Sequence, residues 1–170
     1  KMMKKKTTII SAIAVIAGLA IAPIASADDP AYITASAGWF DFNRQKDEGG
    51  EFRLEYRSNY KLWHFKPFAT FSGVSNGMTF LGAGILMDVY FGRRWVLTPS
   101  LAAGYYSKGN GVDLGHEVEF RSSIELSYRF DDRTRLGVSF YHLSNASIGT
   151  DNPGTEVLSI VYSIPLGSGN

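Results

Sequence analysis

Apolar and polar residues alternate along most of this chain with a period of two. Between 117 and 130 the even positions read Val118, Phe120, Ser122, Ile124, Leu126, Tyr128 and Phe130; the odd ones read Glu117, Glu119, Arg121, Ser123, Glu125, Ser127 and Arg129. One face is greasy, and the other carries charge of both signs. The pattern recurs with Phe52, Leu54 and Tyr56 set against Glu51, Arg53, Glu55 and Arg57, and again with Leu158, Ile160, Tyr162 and Ile164 against Ser159, Val161 and Ser163. Period two over such lengths predicts strands, because successive side chains of a strand point to opposite faces.

From Ala31 onward the chain divides into about eight such runs, near 31–42, 51–63, 67–75, 78–91, 95–107, 116–130, 133–145 and 155–166. Each is 9 to 15 residues long. A tilted strand needs about 9–11 residues to cross a bilayer, whereas soluble strands average about 5–6. Two architectures accommodate the alternation. A soluble sandwich or lipocalin-like barrel turns the greasy face inward, and an outer-membrane barrel turns it outward. Strand length and large aromatics near strand ends (Trp39, Trp63, Trp95, Tyr105, Tyr106, Tyr128) select the second. The predicted fold is all-β, an eight-stranded antiparallel transmembrane β-barrel. Such a barrel is too narrow for a channel, so the mixed Glu and Arg of the polar faces must pair inside it.

Connection lengths orient the barrel. The links 64–66, 92–94 and 131–132 are short, and 43–50, 108–115 and 146–154 are longer, apart from a tight turn at Asn76-Gly77. Short turns belong to the periplasmic end and longer loops to the outside.

Composition adds limits. A net charge of +1 gives no argument for a nucleic-acid partner, and the absence of cysteine excludes disulfides and thiolate metal sites. The mean hydropathy of -0.06 looks soluble, but an alternating barrel averages to an unremarkable value. Residues 1–27 read as a secretory leader: Lys1, Lys4, Lys5 and Lys6, an apolar stretch over 9–21, and Ala25-Ser26-Ala27 as the cleavage motif. The competing reading, a membrane anchor, meets a short apolar run followed by Pro23. The expected mature domain is 28–170. No later run of about 20 apolar residues predicts a transmembrane helix.

The candidate chemistry lies in the last hairpin, FYHLSNASIGTDNPGTE over 140–156. His142 and Ser144 share a strand face, and Glu156 opens the returning strand. These are a base, a nucleophile and an orienting acid. All three continue the even, greasy face of their strands, at the outer end of the barrel. Polar groups facing lipid are costly, so the arrangement suggests a substrate that is itself a lipid of the outer leaflet. Asn152 and backbone N–H groups of 146–154 are the nearest oxyanion donors. An H-x-S triplet alone is weak, and an interfacial histidine beside a small filler serine is the plainer reading. His64 reads as a solvated turn residue and His116 as a rim residue. Asp113 lacks a nearby carboxylate partner, so no calcium site is indicated. Arg44, Lys46 and Lys108 are outer-loop cations that could meet lipid phosphates, though solvated loop charge explains them as well.

At F-Y-H-L-S-N (140–145), N-P-G-T-E (152–156) and G-H-E-V-E-F-R (115–121) the sequence resembles the outer-membrane lipid A 3-O-deacylase family, PagL type. The resemblance is strong over the C-terminal third and elsewhere is one of barrel architecture. It implies an enzyme of the outer membrane that hydrolyses the 3-position ester-linked acyl chain of lipid A, the anchor of lipopolysaccharide. It implies no metal or other cofactor. It assigns His142 as base, Ser144 as nucleophile and Glu156 as orienting acid, with Asn152 at the oxyanion hole and Asn145 beside the nucleophile. One position departs: Ser147 stands where the family often has a glycine whose amide serves the oxyanion hole. A backbone N–H survives that change, while conformational freedom is reduced. Other readings of the architecture are an acyltransferase, a phospholipase or a non-enzymatic barrel. The sequence leaves the oligomeric state open, a homodimer included. It lacks the terminal aromatic that many outer-membrane barrels carry.

Overall fold

The computed structural model describes residues 29–167, so the predicted leader lies outside the described residues. Nine strands follow in order: β1 (Ala31–Phe40), β2 (Gly49–Arg57), β3 (Lys66–Val74), β4 (Thr79–Leu86), β5 (Val89–Phe91), β6 (Trp95–Ser107), β7 (Val118–Arg129), β8 (Arg135–Ser144) and β9 (Thr155–Leu166). Each is antiparallel to its neighbours in a single sheet. β4 and β5 both pair with β6, so they form one interrupted stave. The pairing of β4 with β6 closes the sheet into an eight-stave barrel.

The alternation sorts as the sequence predicts. In β2, Glu51, Arg53, Glu55 and Arg57 are buried, while Phe52, Leu54 and Tyr56 stand outside at 54%, 42% and 47% exposure. The outward residues form an apolar belt around the barrel, the surface that a bilayer covers. The bore is filled by ion pairs. Arg57 Nη2 lies 2.6 Å from Glu125 Oε2 and 2.8 Å from Glu55 Oε2. Arg121 Nη2 lies 2.5 Å from Glu55 Oε1. Nearer the end opposite the 145–154 loop, Asp88 accepts from Lys66 Nζ at 2.5 Å, Thr98 Oγ1 at 2.7 Å and Arg135 Nη1 at 3.1 Å. A charge removed from water needs such partners.

The outer mouth of the bore is apolar instead. Phe40, Met78, Phe80, Leu114, Leu143 and Val157 pack there with Tyr106 and Tyr141. This plug explains Leu143, the apolar residue on an otherwise polar face. It also corrects the placement of Tyr106, expected at the membrane interface but only 4% exposed, inside the plug. Tyr105 and Tyr106 are consecutive, so the pleat sends one outward and the other inward.

Two boundaries differ from the sequence reading. The second strand ends at Arg57, not Trp63, and 58–65 form a turn closed by a Leu62–Phe65 bridge. The short link expected at 64–66 is therefore part of a longer turn, and Lys66 belongs to β3 with its side chain buried. The fourth run is broken at Met87-Asp88, where four consecutive residues from Leu86 to Val89 are all buried. The register runs unbroken across this gap: Leu86 lies opposite Ser100 and Val89 opposite Leu97, and the Met87 N–H still donates to the Pro99 carbonyl at 3.1 Å.

Candidate active site

The pairing of β8 with β9 places His142 directly opposite Glu156. Both side chains lie on the outer face near the end carrying the 145–154 loop. His142 Nδ1 is 3.0 Å from Glu156 Oε1. A carboxylate can only accept here, so Nδ1 carries the hydrogen and Nε2 is left as the acceptor. His142 is 36% exposed at its side chain and Glu156 13%. Ser144 follows two residues along β8 on the same face and is half-buried. Among the described residues no hydrogen bond joins it to His142. Catalytic hydrogen bonds are often loose in a ligand-free site and tighten on substrate.

Glu156 is held from its far side. Its backbone carbonyl accepts the N–H of Asp41 at 2.9 Å. Its Oε2 has no hydrogen-bond partner and faces Arg44 Nε at 3.8 Å. Asp41 organises the first outer loop: Oδ2 accepts the N–H groups of Lys46 and Asp47 at 3.0 Å, and Oδ1 accepts Thr155 Oγ1 at 2.9 Å. The loop thus hangs beside the histidine–glutamate pair. On the membrane side, Leu158 sits between Phe140 and Trp39 in register, and Phe42 meets both aromatic rings at 6.1 Å. This wall is apolar and borders the polar pair.

The 145–154 loop carries the remaining candidates. Asn145 is fully buried. Its Nδ2 donates to the carbonyls of Leu114 at 2.9 Å and Asp151 at 2.7 Å, and its Oδ1 accepts the Ser147 N–H at 2.9 Å. It ties this loop to the 108–117 loop and points away from Ser144's face. Asn152 lies outside. Its Oδ1 accepts the Asn145 N–H at 3.0 Å, the peptide that follows Ser144, and its Nδ2 stands 3.5 Å from Ser147 Oγ. The amide of Ser147, expected as a surviving oxyanion donor, is committed to Asn145 instead.

Sequence reasoning passed over Gly154. It has φ +64°, and a Cβ there would fall 2.8 Å from His142 Cε1 and 3.1 Å from Nε2. Its bare backbone forms one wall of the imidazole's slot. The only signal was its place inside N-P-G-T-E. The other outer-loop groups are peripheral. Lys108 pairs with Asp113 at 3.0 Å. The Gly115 N–H, and then Lys108, hold the Asp113 carboxyl below the ordinary carboxylate range. His116 Nδ1 accepts the Val118 N–H at 2.8 Å at the rim. His64 lies against Trp63 in the 58–65 turn, with ring centroids 4.8 Å apart and the planes tilted by 46°.

Comparison with known proteins bears on the same hairpin. The lipid A deacylase PagL of Bordetella bronchiseptica (strain ATCC BAA-588 / NCTC 13252 / RB50) is 27% identical over 73 residues, which are 42% of this chain and 41% of that protein. The alignment therefore spans under half of that relative. A crystal structure of the outer membrane enzyme PagL superposes with a TM-score of 0.64 at 19% identity, covering 79% of this chain and 99% of that one. Neisserial surface protein A superposes at 0.54 with 14% identity, covering 80% and 96%. At such identities these two structures speak for the barrel fold alone. The profile described as Lipid A 3-O-deacylase (PagL) matches residues 31–165, which take in every strand but the last residue of β9. This chain belongs to the lipid A 3-O-deacylase (PagL) family.

Proposed function

We propose that this protein is an outer-membrane esterase that hydrolyses the 3-position acyl ester of lipid A, using Ser144, His142 and Glu156 at the extracellular rim. The observation that carries the reading is the His142–Glu156 pair on the lipid-facing surface, with a serine on the same face two residues away. An ester of a membrane-anchored lipid reaches such a site without leaving the bilayer. All the groups come from one chain, so the chemistry requires no second copy. Cleavage of the leader after Ala27 belongs to the same reading.

In the first step Ser144 Oγ attacks the ester carbonyl carbon and its proton passes to His142 Nε2. The carbonyl π pair moves onto oxygen. Glu156 holds Nδ1–H and stabilises the imidazolium as it forms. Asn152 Nδ2 retains hydrogens to direct at the oxyanion, because its Oδ1 is already spent on the Asn145 amide. Asn145 is a positioning residue that locks the loop. Collapse expels the sugar alkoxide, which takes the proton from His142. Water, deprotonated by the same nitrogen, then attacks the acyl carbon; the bond to Ser144 Oγ breaks, Oγ takes the proton back from His142, and the fatty acid leaves. Trp39, Phe42, Phe140 and Leu158 offer an apolar bed beside the pair.

Purified protein incubated with lipid A should remove one 3-hydroxyacyl chain, read by mass spectrometry. Ser144→Ala should reduce the rate at least about 10³-fold, as loss of a triad nucleophile does. Loss of a different acyl chain, or an equal rate in the variant, contradicts the assignment.

A further inference from the structure

We infer that the side-chain hydroxyl of Ser147, rather than its backbone amide, is the second oxyanion donor of this site. The inference rests on the hydrolytic reading above and adds a group to it. The Ser147 N–H is donated to Asn145 Oδ1 at 2.9 Å, and Asn145 is buried and pinned by two further hydrogen bonds. That amide points inward, away from the face on which Ser144 lies. Using it would break a bond in the packed seam between the 145–154 and 108–117 loops.

The backbone sharpens the point. Ala146 and Ser147 both hold positive φ, at 52° and 64°. Glycine adopts this conformation freely, and a side chain there is strained. A strained side chain beside a candidate site is a reason to ask what that side chain supplies. Relative to glycine, serine supplies a hydroxyl. Ser147 is exposed. Its Oγ accepts from Asn152 Nδ2 at 3.5 Å, which leaves its own O–H free to donate elsewhere. Asn152 in turn grips the peptide joined to the nucleophile. The Ser147 O–H and the Asn152 N–H therefore stand side by side, on a loop bonded to the peptide that follows Ser144. When Ser144 adds to the carbonyl, the negative charge forms on the former carbonyl oxygen. The Ser147 O–H donates a hydrogen bond to it, and no proton changes owner.

Glycine separates the two donors cleanly. Ser147→Gly removes the hydroxyl, keeps the amide and relieves the positive φ, so misfolding is not its expected cost. Ser147→Ala removes only the hydroxyl, and Ser147→Thr retains one. Steady-state kinetics on lipid A with the full chain in detergent micelles, with heat-modifiable gel mobility reporting folding, should show kcat reduced on the order of 10²-fold in the Gly and Ala variants, as for loss of one oxyanion donor. KM should be unchanged, because the bond exists only in the transition state. Adding Ser147→Gly to Asn152→Ala should multiply the losses. A merely positioning role through Asn152 would add none. A Ser147→Gly enzyme as active as wild type, or more active, overturns the inference while leaving the esterase intact. A wild-type protein inactive on lipid A overturns both.

Discussion

Gly154 shows how closely the imidazole is fitted. Its bare backbone stands where any Cβ would crowd His142 at Cε1 and Nε2, the edge that must face Ser144. A shift of about 1 Å in a reacting group can cost about 10²-fold. Gly154→Ala should therefore lower kcat by about 10–100-fold while the protein remains folded by gel mobility. An unchanged kcat would mean that the ring does not use that edge. Glu156→Gln probes the other nitrogen. A glutamine can present an N–H to Nδ1 and favour the wrong tautomer, which in a comparable triad costs about 10⁴-fold. The expected result is a folded protein with kcat reduced by about 10³–10⁴-fold, measured by product mass. Much of this was legible beforehand. His142 and Ser144 share a face by parity, and Glu156 opens the facing strand. Asn145 sits at an odd position, and parity alone sends it inward. The seal on the Ser147 amide and the closeness of Gly154 arise from loops meeting in space, which no local spacing records.

At the scale of the element, the strands owe their existence to alternation and their ends to partners. Tyr60 and Leu62 continue the parity of β2, so the sequence extends that strand. The ladder stops because β3 begins at Lys66 and returns only as far as Phe68 opposite Arg57. Periodicity within one run cannot report where its neighbour starts. The break between β4 and β5 was equally hidden, since the run keeps both its register and its parity across Met87-Asp88. Its centre, Asp88, gathers Lys66, Thr98 and Arg135. Removing one partner from a buried ionic cluster costs about 3–5 kcal/mol. Asp88→Ala should lose stability of about that size, seen as a lower denaturant midpoint in micelles. A midpoint equal to wild type would indicate that water enters the bore and screens those charges.

For the whole molecule, the barrel is inside-out relative to a soluble one. Ion pairs fill the middle of the bore, an apolar plug closes its outer mouth beneath the candidate site, and the greasy belt faces outward. The plug includes Tyr141, Leu143 and Val157, which alternate with the candidate residues along β8 and β9. The outer face therefore has a rigid backing, which suits a site that must hold its geometry against a fluid membrane. Trp39 reports the orientation: it is 48% exposed, near the outer rim. With Trp63 and Trp95 replaced by Phe, its fluorescence should be quenched by brominated acyl chains in a bilayer and little affected by aqueous iodide. The reverse would place the belt in water. Neither the plug nor the pairings in the bore were readable beyond the general need for polar partners, because they join residues from distant staves.

The central claim is that Ser144 is an activated nucleophile open to the hydrocarbon side of the barrel. The most direct test is to treat the micelle-embedded protein with a long-chain alkyl fluorophosphonate and locate the adduct by peptide mass spectrometry. The expected result is one adduct, on Ser144, absent in Ser144→Ala and strongly slowed in His142→Ala. Labelling that persists in Ser144→Ala, or no labelling of a protein that still deacylates lipid A, would contradict the account.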